Sequence, residues 1–349
     1  MTNDFPPLPD SEPRFARRDN AAPQVDLYPF GRELNGRLES GHFQADEHWE
    51  SEIAYKLTLL LRDASLRRVI IDDDVPGLVD ALWIVSDLLA TDEPTLWQRC
   101  DDGVVLPRLG LRLLVRTASE RMEPVIDRSS ATPLGDRIGA WLASQTGVNR
   151  LFDALALTCQ EDIVIMRGVP DGIDIAEALH VCFPSGWDPR EKAGTNFATI
   201  HMPVAENDKL VGSSQNLMKA LLTKGPYVRF GWGLGADFDL DNHTASPRRR
   251  MPADALGNPD QVAANVWIRA ERQTTYPMPA LGRGLFTIKV YVNPLIERVQ
   301  AEPYMGQRLI NLIESATPAV RAYKGFAEYA EPLLEWLYAN VSTPTTHQG

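Results

Sequence analysis

"VWIRAERQTTYPMPALGRGLFTIKVYVNPL", residues Val266 to Leu295, holds two runs rich in β-branched and aromatic residues, divided by a segment of Pro and Gly. That composition reads as two strands with a turn between them. In the first run, alternation sends Trp267, Arg269, Glu271 and Gln273 to one face and Ile268, Ala270, Arg272 and Thr274 to the other. Charged side chains at Arg269, Glu271 and Arg272 are out of place in a plain core. One face is therefore either solvated or the lining of a polar cavity. The second run offers Thr287, Lys289 and Tyr291 on one side.

Working outward, "EDIVIMRGV" (161–169), "DIAEALHVCF" (174–183), "NFATIHMPV" (196–204) and "YVRFGWGL" (227–234) have the same short, punctuated character, which makes six expected strands in all. Helical periodicity runs through "DEHWESEIAYKLTLLLRDA", "VPGLVDALWIVSDLLA" and "PLGDRIGAWLASQTGVNRLFDALAL" before them, through "KLVGSSQNLMKALLTKG" between them, and again beyond Pro294. The first half is expected to be mainly helical. Strands clustered between helical ends indicate an α+β fold. Residues 1–25 read as a flexible arm, 26–340 as a single domain with helical elaborations, and 341–349 as a tail.

The formal net charge of -12 argues against a nucleic-acid surface. With no apolar run of signal-peptide or membrane-span type, a cytoplasmic protein is expected. Cys100, Cys159 and Cys182 are far apart and odd in number, which suits a reducing compartment. They cannot supply the four usual ligands of an iron–sulfur cluster. "GWGLG" lacks the spacing of a dinucleotide cradle. "DFDLDNHT" begins like a calcium loop but has Asn242 at the required glycine and Arg248 at the bidentate glutamate position. The run Arg248 to Arg250 reads as a solvated loop.

Read as a strand, "FATIHMPV" places His201 at a strand end before Pro203. There it is either a half-buried histidine bonded to backbone or a metal ligand. Cys182 is either an inert core residue or a thiolate ligand. The turn at Pro184, Ser185 and Gly186, anchored by Trp187, has Lys192 nearby as an anion partner.

The ordered set Cys-Phe-Pro-Ser-Gly-Trp (182–187), Lys-x-Gly (192–194), Ile-His-x-Pro-Val (200–204), Arg-x-Glu-Arg-Gln-Thr (269–274) and Phe-Thr-Ile-x-x-Tyr (286–291) resembles the α subunit of the haem-dependent oxidative N-demethylase family. The resemblance covers roughly residues 26 to 340. It implies a PAS-like antiparallel sheet core that binds haem b, with helical extensions at both ends. It also implies oxidation of a dimethylamine-like amine with O2 and release of formaldehyde. Electrons would come from NADPH through a reductase subunit carrying FMN and an iron–sulfur cluster, and a folate-binding subunit would use tetrahydrofolate to collect the product.

Under that resemblance His201 becomes the proximal iron ligand. Glu271 is the acceptor for the cationic amine, with Tyr291 and Trp232 as aromatic walls. Arg229, Arg269, Arg272 and Lys192 are partners for the haem propionates. The competing reading is a haem-PAS gas sensor or gas-binding module without turnover, since a fold does not fix a function. A third reading is a structural protein that binds no cofactor.

Overall fold

The computed structural model describes residues 27–341 except 35, 36, 72 and 170–173. The expected arm at 1–25 and all but the first residue of the tail lie outside the described residues. Short strands come first: β1 (Tyr28–Pro29), β2 (Arg32–Leu34), β3 (Arg37–Glu39), β4 (Arg68–Ile70), β5 (Gln98–Cys100), β6 (Gly103–Leu106), β7 (Leu111–Leu114) and β8 (Val125–Asp127). The long ones follow as β9 (Asp162–Gly168), β10 (Asp174–His180), β11 (Tyr227–Gly235), β12 (Trp267–Met278) and β13 (Arg283–Pro294).

The main sheet has seven antiparallel strands in the order β1-β11-β12-β13-β9-β10-β4. Its spine is the pairing of β12 with β13, unbroken from Trp267 opposite Pro294 to Met278 opposite Arg283. Residues Asp162 to Met166 of β9 are buried on both faces, as a central strand requires. Renumbered in chain order, the five long strands run 2-1-5-4-3.

The two faces of this sheet are covered differently. On one, Ile163, Ile165 and Leu285 pack under the helices Trp49–Asp63, Val75–Asp92, Pro133–Ser144 and Val148–Ala156. Farther along the same face, Ile268 and Ala270 pack under Pro259–Asn265, Leu295–Ala301, Pro303–Ser315 and Ala330–Asn340. Each large apolar side chain buried there contributes ~1.5–3 kcal/mol. On the other face, Val164, Met166, Ala176, Leu179 and Phe286 meet Met218 and Leu221 of the helix Ser214–Thr223. The sheet is thus the α+β core that the sequence predicts. Among the described residues no helix is long and apolar enough to cross a membrane.

Three expectations are corrected. The stretch 196–204 is not a strand: Asn196 caps a helix at Phe197–His201, its side chain accepting from the Thr199 N–H at 2.8 Å. The first half is less helical than expected, because β5 to β8 form a separate antiparallel sheet. The run from Pro133 to Leu157 is also two helices rather than one, broken before Gly147, whose φ of 58° favours glycine.

Candidate functional site

Register across the open face decides which side chains meet. Arg229 of β11 stands opposite Gln273, Gly231 opposite Glu271 and Gly233 opposite Arg269; Glu271 in turn stands opposite Val290 of β13. The glycines strip the cavity side of β11 of bulk, and nothing lies within 4 Å of where a Cβ would stand at Gly233. Above this floor lies a cavity of about 1060 Å³. It is walled by Val164, Leu179, Phe197, Ile200, Phe286 and Ile288 and rimmed by charged loops. That volume is at the upper end of ligand pockets generally.

His201 reaches this cavity from the last turn of its short helix. Its Nδ1 lies 2.8 Å from the Phe197 carbonyl, which fixes that nitrogen as the protonated one. Nε2, carrying the lone pair, has no partner among the described residues. The Phe197 ring lies 4.0 Å from the imidazole, centroid to centroid. Burial pushes the imidazole down to about 4, and Arg229 and Lys192 add to the shift, while the bond to Phe197 opposes it. At neutral pH this is a neutral, oriented imidazole with an available lone pair, the state a metal ligand needs.

Glu271 is held rather than free. One carboxylate oxygen accepts from the Ser185 hydroxyl and the other from Gln273 Nε2 at 2.6 Å. Arg269 sets this geometry by donating from Nε to Ser185 Oγ at 2.7 Å. Its other nitrogens donate to the carbonyls of Phe183 (2.9 Å), Pro184 (3.3 Å), Asp239 (3.2 Å) and Leu240 (3.0 Å). Burial holds its pKa below the usual arginine value, with Glu271 opposing. Arg269 is therefore a clamp on the 183–185 turn and the 239–240 loop, with all three of its nitrogens engaged.

Strand parity removes two predicted residues from the cavity. Arg272 points through the opposite face, where it donates to Glu39 at 2.9 Å and to the Gly41 carbonyl at 2.8 Å, 1% exposed. Tyr291, opposite Ala270, shares that face and packs with the C-terminal helices. Burial raises its phenol to about 12. Arg272 cannot serve with Arg269, nor Tyr291 with Glu271, because residues of opposite parity leave opposite sides of a sheet. Trp232 also has that parity, opposite Ala270, yet is among the residues that line the cavity.

Sequence reasoning missed Lys324, which joins the cavity from the segment after the helix Pro318–Tyr323. Its Nζ lies 4.3 Å from the Trp232 ring centroid and donates to the Trp232 carbonyl at 2.7 Å. Burial lowers this amine to about 8, with Glu271 opposing the shift and Arg229 adding to it. Arg248, Arg249 and Arg250 are the exposed loop that the sequence suggests, and that loop also lines the cavity. Lys192 lies at its wall and donates to the Ile200 carbonyl at 3.2 Å. Cys182 does not line it: the thiol is fully buried and pushed above its ordinary pKa by burial, 4.0 Å from His180 Nδ1. It is the inert core residue of the two readings.

A family model described as haem-dependent oxidative N-demethylase, alpha subunit-like, matches residues 39–334. The chain belongs to this family. Membership of the N-demethylase alpha subunit-like family gives it a coarse role in N-demethylation, an oxidoreductase chemistry, dependence on haem and a place in a multi-subunit enzyme. The cavity's residues suit that group. An imidazole nitrogen with no partner among the described residues could ligate its iron, aliphatic and aromatic walls would suit the macrocycle, and Arg229 and Lys192 near His201 would suit its carboxylates.

Proposed function

We propose that the cavity is the catalytic site of an oxidative N-demethylase acting on a small N-methylamine, with haem b bound through His201 Nε2. Bound haem supplies the one-electron and oxygen chemistry. In the overall reaction one methyl group leaves as formaldehyde. O2, two electrons and two protons yield the formaldehyde oxygen and one water. The electrons come from an NADPH-linked reductase subunit carrying FMN and an iron–sulfur cluster, and a folate-binding subunit takes the formaldehyde. The assembly is cytoplasmic.

The chain's own residues bind and orient. Arg229 and Lys192 hold the propionates, assisted by the Arg248–Arg250 loop. Glu271, fixed by Ser185 and Gln273, accepts the N–H of the ammonium, and apolar walls from Phe286, Ile288 and Ile200 exclude water and strengthen that contact. Trp232 bounds the site at the edge of β11. The strand order 2-1-5-4-3, with helices between its second and third strands, supports the PAS-like reading of the core.

The observation that carries this reading is the pairing, in one cavity, of a neutral histidine with a free Nε2 and a carboxylate held in place. It is tested by loading the chain with haem and recording ferric, ferrous and carbonyl spectra with and without dimethylamine. Stoichiometric haem, a histidine-type carbonyl spectrum and a shift on adding amine are expected. A His201→Ala protein with full haem loading and an unchanged axial spectrum would overturn the ligand assignment. Haem indifferent to amines would favour the gas-binding module.

A further inference from the structure

We propose that the amine taken by this cavity is an N-methylated amino acid, its ammonium on Glu271 and its carboxylate on Lys324. The proposal rests on the amine-oxidising reading of the cavity and names the substrate class within it.

Three observations carry it. First, Glu271 and Lys324 lie in the same cavity, yet no hydrogen bond or ion pair joins them. Each is restrained elsewhere, Glu271 by Ser185 and Gln273, and Lys324 by the Trp232 carbonyl. Two opposite charges kept apart in one apolar-walled space match a ligand that carries both. Second, one aromatic face that would attract a simple ammonium, the Trp232 ring, is already covered: Lys324 Nζ sits over it at 4.3 Å. A dialkylammonium without a negative end would find that position beside Glu271 taken and a like charge in it. Third, seven Lys and Arg side chains line the cavity against Asp237, Glu271 and Glu328. Two haem propionates leave that positive excess only partly offset, so the local field favours a substrate with an anionic group over a bare cation.

Lys324 is then a specificity residue, touching the substrate's carboxylate and taking no part in bond making. Arg269 is clamped onto four carbonyls, whereas Lys324 Nζ has the Trp232 carbonyl and ring beside it and lies within the field of Glu271. The amino acid's short backbone sets the two charges a few bonds apart, which a longer polyamine or a plain alkylamine does not do.

The test uses the haem-loaded full chain at pH 7, titrated calorimetrically and by its Soret band with N-methylglycine, N-methylglycine methyl ester and dimethylamine. The free carboxylate is expected to bring about ten-fold tighter binding or more than either carboxylate-free ligand, the range of one charge-assisted pair in a partly dry site. Lys324→Gln keeps a donor for the Trp232 carbonyl and removes the charge. It should bring N-methylglycine to parity with dimethylamine at unchanged haem content. Equal or weaker binding of N-methylglycine by the unaltered chain overturns the proposal without any variant. So does a preference that survives in Lys324→Gln, or a variant that sheds haem, which would make Lys324 a propionate partner. If dimethylamine binds and N-methylglycine does not, only this proposal falls; if neither binds, the amine-site reading falls with it.

Discussion

Replacing Arg269 by methionine separates two roles that a buried arginine in a haem cavity can have. If it holds a propionate, its loss weakens cofactor binding and leaves the apoprotein's stability nearly unchanged. The geometry requires the reverse. The guanidinium satisfies the carbonyls of Phe183, Pro184, Asp239 and Leu240 and steadies Ser185. Methionine fills much of the volume and donates nothing. An orphaned buried acceptor costs ~1–3 kcal/mol, and the low end applies here because the cavity admits water. Four carbonyls at about 1 kcal/mol each give a loss of about 4 kcal/mol. That is a large fraction of the ~5–15 kcal/mol that stabilises a typical domain. Urea denaturation of the apoprotein, followed by tryptophan fluorescence, measures it. An apoprotein stability within about 0.5 kcal/mol of the parent, combined with a raised haem dissociation constant, would refute the clamp and restore Arg269 as a propionate partner.

Burial raises the Glu52 carboxyl from its usual value to about 7, with Asp46 adding to the shift and a bond from Gln160 opposing it. The folded state therefore holds this proton more tightly, and its contribution is present below about 4.5 and lost as pH rises through about 7. Glu52→Gln should stabilise the protein by about 2–3 kcal/mol at pH 8 and by little at pH 4, read from denaturation midpoints. Asp153 accepts from Arg68, from Trp141 Nε1 at 2.8 Å and faces His180 Nε2 at 3.1 Å, all under the sheet. Asp153→Ala strands these donors and should cost about 3–5 kcal/mol, with a melting temperature lower by several degrees. At Gly284 an added Cβ would stand 2.4 Å from Leu221 Cδ2 and 3.0 Å from the Leu221 carbonyl. Gly284→Ala should push the helix Ser214–Thr223 off the sheet at a cost of about 1–3 kcal/mol, measurable by thermal melting.

The long strands were legible because their length lets alternation show: β12 buries every second residue from Ile268 to Thr274 as the pattern requires. β5 to β8 were not, since runs of three or four residues such as Gln98–Cys100 are too short to display a period. The Phe197–His201 segment carries the strand propensity of Phe, Thr and Ile, and the Asn196 cap outweighs it. At the site, strand parity alone separates Arg272 from Arg269 and Glu271, and the structure keeps that separation. Lys324 had no local signal. It reaches Trp232 from 92 residues away, a relation set by how the C-terminal helices fold back.

Beyond Val228 the outer edge of β11 has no strand partner among the described residues, since β1 pairs only with Tyr227 and Val228. Such an edge invites a strand from another molecule, and the alternating glycines would let it approach closely. Lys324 occupies one of the edge acceptors, the Trp232 carbonyl, in a part-buried bond that an intruding backbone would have to displace. The cavity wall is therefore also a guard against self-association. A change at Lys324 that removes both donor and charge would cost the protein solubility before it cost the fold stability.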